Sequence, residues 1–165
     1  MFEKFGEFDS LEELNLAAEG FLKEGDTKSI LELAVENGID EDDVKDYIDG
    51  YTQEFASLSM ATYGRLNIEQ EEISKNKNVM EKAALELILT MLRGMCTDME
   101  ISAAVMKKGK RVEGVFKALR DGASRHKNGS VGMSCGTDRQ LCEIIKYYYT
   151  QSESKLKEKI EELYK

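Results

Sequence analysis

One short stretch of the chain, NGIDEDDVKDYIDG at residues 37–50, holds enough carboxylates to suggest a calcium loop. An EF-hand loop needs oxygen ligands at positions 1, 3 and 5, glycine at position 6 and a bidentate glutamate at position 12. A loop that starts at Asp40 places Val44 at position 5 and Tyr51 at position 12. A loop that starts at Asp42 places Tyr47 where glycine is required. The sequence therefore argues against calcium binding in this stretch.

Helix capping is a local explanation for the presence of these carboxylates. Gly38 is suited to end one helix, because glycine tolerates the left-handed backbone that closes a helix. Asp40 is suited to cap the next helix, whose positive first turn favours acidic residues, and Gly50 then stops it. The acidic residues that form the candidate binding surface are Asp40, Glu41, Asp42, Asp43, Asp46 and Asp49.

The acidity extends beyond this helix over the whole N-terminal part of the chain. Residues 1–50 contain 16 Asp and Glu against 4 Lys and Arg, a net charge of −12. Residues 51–165 contain 16 acidic and 19 basic residues, a net charge of +3. This division of charge indicates two units with different partners.

Basic residues are concentrated in a second stretch, MKKGKRVEGVFKALRDGASRHK at residues 106–127. Such a stretch is suited to bind nucleic-acid phosphates. It is equally suited to dock on the acidic N-terminal part of the same chain, and the sequence leaves both interpretations open. The candidate residues are Lys107, Lys108, Lys110, Arg111, Arg120 and Arg125.

Catalytic and metal-binding patterns are not found in the sequence. His126, the only histidine, lies in the basic stretch without a nucleophile motif near it in sequence, and is expected to be a solvated loop residue. Cys96, Cys135 and Cys142 form no C-x-x-C pair, and no glycine-rich phosphate-binding motif is present. We therefore expect a protein that is not an enzyme and that needs no cofactor or metal.

The spacing of apolar residues predicts an all-α or mostly α fold, which suits a chain without proline. Residues 1–50 are predicted to form a small acidic module of three helices. Their expected caps are Ser10, Asp26 or Thr27, and Asp40. The expected inner face of the second helix contains Ile30, Leu31, Ala34 and Val35.

Residues 51–77 are predicted to form a connecting helix and linker, with Gly64 as a point of interruption. Residues 78–165 are predicted to form a helical domain with a charged C-terminal helix. Its strongest helix signal, VMEKAALELILTMLRGM, has an expected inner face of Met80, Ala84, Leu87, Ile88, Met91 and Leu92. Thr97 is expected to cap the next helix in a capping box with Glu100. The glycines near 129–137 allow either a loop or a short β-hairpin.

Two further expectations concern location. No apolar run approaches the roughly 18 residues that a membrane span needs, so no membrane partner is expected. The N-terminus, MFEKFGEFDS, lacks the basic and apolar regions of a signal peptide, and the odd number of cysteines suits a reducing compartment. The sequence therefore predicts a cytoplasmic protein.

The stretch KKGKRVEGVFKALRDGASRHKNGSVGMSCGTDRQLCEIIKYYYTQ resembles the PcfK-like domain of conjugative and other mobile elements. The similar features are a basic turn, an apolar helix with Val115, Phe116 and Leu119, a helix start at Asp138 and aromatic residues within Tyr147–Tyr149. The resemblance covers residues 78–151. This chain differs by a longer GSVGMSCG segment and by the acidic module in front.

The resemblance implies a function for the chain. Some proteins with a PcfK-like domain are anti-CRISPRs, which inhibit a type II CRISPR effector nuclease. Such an effector, loaded with its guide RNA, holds nucleic acid in positively charged channels where an acidic surface can compete. The expectation is an anti-CRISPR protein of phage or plasmid origin. The alternative is a nucleic-acid-binding accessory protein of a conjugative plasmid or phage, acting through the basic stretch.

Overall fold

The computed structural model describes residues 2–127 and 136–165, and within these ranges the chain is helical throughout with no strand. The prediction of an all-α fold is confirmed. The loop or hairpin predicted near 129–137 lies outside the described residues, apart from Gly136 and Thr137, which precede a helix. None of the described helices has the length and apolar character that crossing a membrane requires.

The described residues form nine α-helices and one terminal turn of 3-10 helix. The helices are α1 (Leu11–Glu24), α2 (Thr27–Asn37), α3 (Glu41–Ile48), α4 (Leu58–Ser74), α5 (Val79–Met95), α6 (Met99–Val105), α7 (Val112–Arg125), α8 (Asp138–Thr150) and α9 (Glu153–Glu161), and the 3-10 turn covers Glu162–Tyr164.

Side-chain caps fix where most of these helices begin. Ser10, Asp26 and Asp40 each accept a hydrogen bond from a backbone N–H in the first turn of the following helix, as the sequence predicts. The prediction for α6 is wrong by one residue. Asp98, not Thr97, is the cap, because its carboxylate accepts from the N–H of Glu100 at 2.9 Å.

Helices α1–α3 and the start of α4 enclose the first of two hydrophobic clusters. Its members are Leu14, Ala18, Ile30, Leu33, Ala34, Ile39, Val44, Tyr47, Phe55, Ala56, Ala61 and Met106. The predicted inner face of α2 is partly wrong, since Leu33 is buried while Val35 is 80% exposed. Adjacent apolar positions compete for the inner face, and the packing of α1, α3 and α4 against α2 decides between them.

The rest of α4 and helices α5–α9 enclose the second cluster. Its members are Leu66, Ile73, Leu85, Ile88, Leu89, Leu92, Cys96, Ile101, Ala104, Val105, Val112, Val115, Ile144, Ile145, Tyr149, Leu156 and Ile160. In α5 the face containing Leu85 and Leu89 is the buried one, while Met80 and Leu87, both predicted to face inward, are 82% and 50% exposed. Contacts of α5 with α4, α7 and α8 select this face.

Helix α4 belongs to both clusters, because Ala61 lies in the first and Leu66 in the second. Gly64, predicted to interrupt this helix, lies inside it without a break. Its backbone touches the end of α2 so closely that a Cβ atom on Gly64 would lie 2.3 Å from the carbonyl oxygen of Asn37. The absence of a side chain at this position therefore allows α4 and the end of α2 to come into backbone contact. The division into 1–50, 51–77 and 78–165 stays a prediction.

Candidate binding surfaces

The acidic surface, defined as Asp40, Glu41, Asp42, Asp43, Asp46 and Asp49, lies on α3 and at its two ends, and all six residues are exposed. Val44 and Tyr47 fix the orientation of the helix, because both are buried in the first cluster. With 3.6 residues per turn, Asp42, Asp46 and Asp49 then lie on the opposite side, away from the protein. The sequence thus folds so that the carboxylates face outward together.

Lys45 is the single basic residue on α3 and compensates part of this charge. Its ammonium group lies 3.0 Å from Glu41 and 3.3 Å from Asp42, and these carboxylates raise the pKa of Lys45. Within residues 2–127 and 136–165, Asp43, Asp46 and Asp49 have no ion-pair partner. The acidic surface therefore presents uncompensated negative charge.

The basic turn, residues 107–111 between α6 and α7, is fastened to the N-terminal segment of the chain. The Glu7 carboxylate lies 3.2 Å from the Arg111 guanidinium and accepts from the backbone N–H of Gly109 at 3.1 Å. The Asp9 carboxylate accepts from the backbone N–H of Lys108 at 2.9 Å. Docking on the acidic N-terminal part of the chain thus occurs, and it uses the segment before α1.

Lys110 in the same turn makes internal contacts as well. Its ammonium group donates to the Tyr148 carbonyl oxygen at 2.6 Å and lies 4.6 Å from the centre of the Tyr148 ring. Burial lowers the pKa of Lys110. Lys107 and Lys108 are exposed and are therefore the cationic side chains that this turn leaves free.

Arg120 and Arg125 lie on α7, away from the basic turn. With a rise of 1.5 Å per residue, Arg125 is about 20 Å along the helix from Arg111. The Arg125 guanidinium lies 2.8 Å from the Glu161 carboxylate, while Arg120 is exposed with its guanidinium 5.8 Å from the Phe116 ring centre. The structure thus does not gather the six basic candidates into one patch.

His126 closes α7 and contacts the C-terminal turn. Its ring stacks on Tyr164 with centroids 4.0 Å apart, and its Nε2 atom lies 2.5 Å from the Glu161 carboxylate. His126 is an exposed turn residue, in line with the solvated position expected from the sequence, and its ring also packs against another aromatic side chain. These contacts join the ends of α7 and α9 and give no arrangement of nucleophile and base.

A buried polar group that the sequence analysis did not single out connects the two clusters. Arg65 on α4 is only 3% exposed. Its guanidinium donates to the carbonyl oxygens of Val105, Met106 and Lys107 and, in the N-terminal segment, of Phe8. Burial lowers the pKa of Arg65, while the nearby Glu7 raises it. One side chain therefore ties α4, the end of α6 and the N-terminal segment together.

Glu69 lies one helical turn after Arg65 and is 4% exposed. Its Oε2 atom accepts from the backbone N–H of Val112 at 2.8 Å, where α7 begins. Its Oε1 atom is buried and has no hydrogen-bond partner. Desolvation by burial raises the pKa of Glu69 to about 7, although the Val112 hydrogen bond and the nearby Arg111 and Arg65 act in the opposite direction.

The three consecutive tyrosines point in different directions, as helical geometry requires, although the Tyr148 and Tyr149 rings meet edge to face with centroids 5.1 Å apart. Tyr149 is buried in the second cluster, which raises the pKa of its hydroxyl well above the ordinary value. The Tyr148 hydroxyl accepts from the backbone N–H of Arg111 at 3.4 Å and packs over Gly114. The centre of the Tyr147 ring lies 5.6 Å from the ammonium group of Lys159, so the three rings form no common stacking surface.

The cysteines show no sign of a reactive or metal-binding site in the part of the chain described. Cys96 is buried, and desolvation raises its pKa to about 11, while Cys142 is partly buried and free. Cys135 lies outside the described residues. Among those residues, no group of three His, Cys, Asp or Glu side chains is placed to hold a metal ion.

Comparison with known proteins adds no family to this description. No family model, curated protein or solved structure matches the chain. The resemblance to the PcfK-like domain therefore stands on the residues quoted above.

Proposed function

We propose that this chain is a non-catalytic inhibitor that binds a positively charged nucleic-acid channel of another protein through its acidic surface. The expected target is a type II CRISPR effector nuclease loaded with guide RNA, as the PcfK-like resemblance implies. The inhibitor competes for the arginine and lysine side chains that would otherwise contact nucleic-acid phosphates. The proposal includes a phage or plasmid origin.

One observation carries this proposal: the carboxylates on and beside α3 face outward, and the single lysine of the helix pairs with only two of them. Within the described residues, Asp43, Asp46 and Asp49 have no ion-pair partner, and the helix that bears them is anchored by buried Val44 and Tyr47. A folded support keeps the charges at fixed spacing, so little conformational entropy is lost on binding. This is what a competitor of an ordered phosphate backbone requires.

Electrostatics give such a surface two advantages. Opposite charge on the target accelerates association, and carboxylate–arginine pairs that lose solvent on binding favour the correct partner. A single exposed pair contributes little, since such pairs contribute about 0–1 kcal/mol in general. Several carboxylates must therefore act together.

The alternative, an accessory protein that binds nucleic acid through the basic stretch, has less support. Lys110, Arg111 and Arg125 already contact groups of the same chain. The acidic surface on α3 makes no comparable contact with the basic stretch. Free cationic groups remain at Lys107, Lys108 and Arg120, which are exposed.

The test is a combined substitution of Asp42, Asp43, Asp46 and Asp49 by Asn. Asp40 is kept, because its carboxylate caps α3 by accepting from the N–H of Asp42 at 2.9 Å. If four weak pairs act together, the variant should need roughly thirtyfold more protein for half-inhibition of guided DNA cleavage. Circular dichroism should show unchanged helix content.

A matched control removes the same charge elsewhere. Glu71, Glu100, Asp121 and Glu158 are exposed acidic residues outside α3, and changing them to the corresponding amides removes the same four negative charges as the α3 variant does. This control should inhibit as well as the unmodified protein. Full inhibition by the folded α3 variant, or equal losses in both variants, would contradict the proposal. Binding of DNA or RNA by the intact protein at low salt would favour the alternative.

A further inference from the structure

A cleft of about 450 Å³ opens where the second half of α4 meets the start of α5 and the start of α7. This volume lies within the range of about 300–1,000 Å³ that is usual for small-molecule sites. Its apolar residues, Ile73 and Leu85, are both buried. The cleft lies on the second cluster and is separate from the acidic surface on α3.

The polar lining of the cleft is mainly acidic. The carboxylates are those of Glu69, Glu72, Glu81 and Glu113. The cationic side chain in the lining, Arg111, lies 3.2 Å from the Glu7 carboxylate and is therefore already compensated. Glu72 lies 2.8 Å from the exposed Lys75, whereas Glu113 has no partner within the described residues. The cleft thus has a net negative charge.

Glu69 gives this cleft a feature that a cluster of surface acids lacks. The residue is 4% exposed, and its Oε1 atom is buried without a hydrogen-bond partner. An ionised oxygen in this position is poorly solvated, which is why burial raises the pKa of Glu69 to about 7. A cation in the cleft would stabilise the ionised form through the low-dielectric interior without direct contact.

The arrangement of the carboxylates indicates the kind of cation. No three acidic side chains in the described residues are close enough together to hold a metal ion. Charge spread around an apolar floor instead matches a cation with a hydrocarbon part and a charged end. We propose that this cleft binds an alkylammonium group, supplied by a free aliphatic diamine or by a lysine side chain of a partner protein.

Binding at this place has a consequence for protons. At neutral pH part of the Glu69 population is protonated. An ammonium group that enters the cleft favours the carboxylate, so the proton of Glu69 passes to the buffer as the cation binds. No bond to the ligand forms, and the ligand keeps its charge. Proton release therefore reports on occupation of the cleft beside Glu69.

The experiment titrates 1,5-diaminopentane and, separately, Nα-acetyl-lysine methylamide into the full-length protein in a calorimeter at pH 7. Two buffers with different ionisation enthalpies reveal the number of protons released. We expect binding with release of a fraction of a proton per ligand. Glu69→Gln, which keeps an acceptor for Val112, should abolish the proton release.

Two further variants make the result decisive. Glu113 is exposed, so Glu113→Gln should leave the fold intact and weaken binding severalfold. Glu158 is exposed on α9 and does not line the cleft, so Glu158→Gln should change nothing. Binding of the diamine alone identifies a free cation as the source, and binding of both probes identifies the ammonium group in either setting.

The inference is overturned by any of three results. The first is that neither probe binds at millimolar concentration. The second is that sodium at equal ionic strength produces the same heat. The third is that binding is unchanged in both Glu69→Gln and Glu113→Gln. The inference does not depend on inhibition of an effector nuclease, because the variants used here leave α3 intact.

Discussion

Burial alters the acid–base behaviour of Glu69 more clearly than that of the exposed acidic residues. An ordinary glutamate has a pKa near 4.5, and desolvation in this fold raises the value for Glu69 to about 7. The folded protein therefore binds a proton more tightly than the unfolded chain does. The stability associated with that proton is fully present below about pH 4.5 and is lost as the pH rises through 7.

Replacing Glu69 by Gln should flatten this dependence. Relative to the variant, the unmodified protein should lose roughly 2–4 kcal/mol of unfolding free energy between pH 4.5 and pH 8. Urea unfolding at a series of pH values measures the difference. Glu71 is exposed, so Glu71→Gln serves as control. Its unfolding free energy should depend on pH in the same way as that of the unmodified protein. Parallel curves for Glu69→Gln would show that burial does not perturb this carboxyl.

The sequence alone could not identify Arg65 and Glu69 as buried residues. Spaced four apart on a helix, an arginine and a glutamate are typical of an exposed pair. Their burial results from the packing of α4 against the N-terminal segment and the start of α7, which are distant in sequence. By contrast, the caps Ser10, Asp26 and Asp40 were predictable, because a cap acts within one turn of its own helix.

The crossing of α4 and the end of α2 is the closest backbone approach involving glycine in the described residues. Gly64 and Gly38 face each other, and the Cβ atom of any other residue would overlap with backbone atoms, which cannot rotate away. Gly38 also has a left-handed backbone with φ of 65° at the end of α2. Both glycines are therefore needed for the contact between these helices.

Gly64→Ala should destabilise the protein even though alanine favours helix. The expected cost is about 1–3 kcal/mol or more, as for other overpacking changes. Gly20→Ala is the matched control, because Gly20 lies in α1 with no atom within 4 Å of the added Cβ. It should stabilise by about 0.5–1 kcal/mol. The melting temperatures of both variants measure these effects. Equal shifts in melting temperature would contradict a close backbone contact between α4 and the end of α2.

The inner faces of α2 and α5 show where prediction from periodicity ends. Each helix has more apolar residues than its inner face can hold, so two adjacent columns of residues satisfy the same pattern. Contacts with other helices buried Leu33, Leu85 and Leu89 and left Val35 and Met80 exposed. The local sequence predicts that each helix exists. Which of its faces turns inward depends on contacts with helices that are distant in sequence.

At the scale of the whole molecule, α4 and the junction around Arg65 hold the two clusters together. Leu66 and Ile73 of α4 belong to the second cluster, while Ala61 belongs to the first. Glu7 contacts both Arg65 and Arg111, at 3.7 and 3.2 Å. The part of the chain that folds with residues 78–165 should therefore include α4.

Two fragments test this division. Residues 57–165 keep α4 and the cap of its first turn, and this fragment should be helical and unfold cooperatively. Residues 78–165 lack Leu66, Ile73 and Glu69, which removes two apolar side chains and the acceptor at the start of α7. This shorter fragment should be much less stable in circular dichroism melts. Equal melting temperatures would place the domain boundary after α4.

In the proposed function, the acidic surface on α3 is the part of the molecule that recognises its target. The most direct measurement is the affinity for the guide-loaded effector as a function of salt concentration, compared between the unmodified protein and the Asp42, Asp43, Asp46 and Asp49 to Asn variant. We expect tight binding that weakens steeply with salt for the unmodified protein, and weaker binding with a shallower slope for the variant. Equal affinities with equal salt dependence would contradict it.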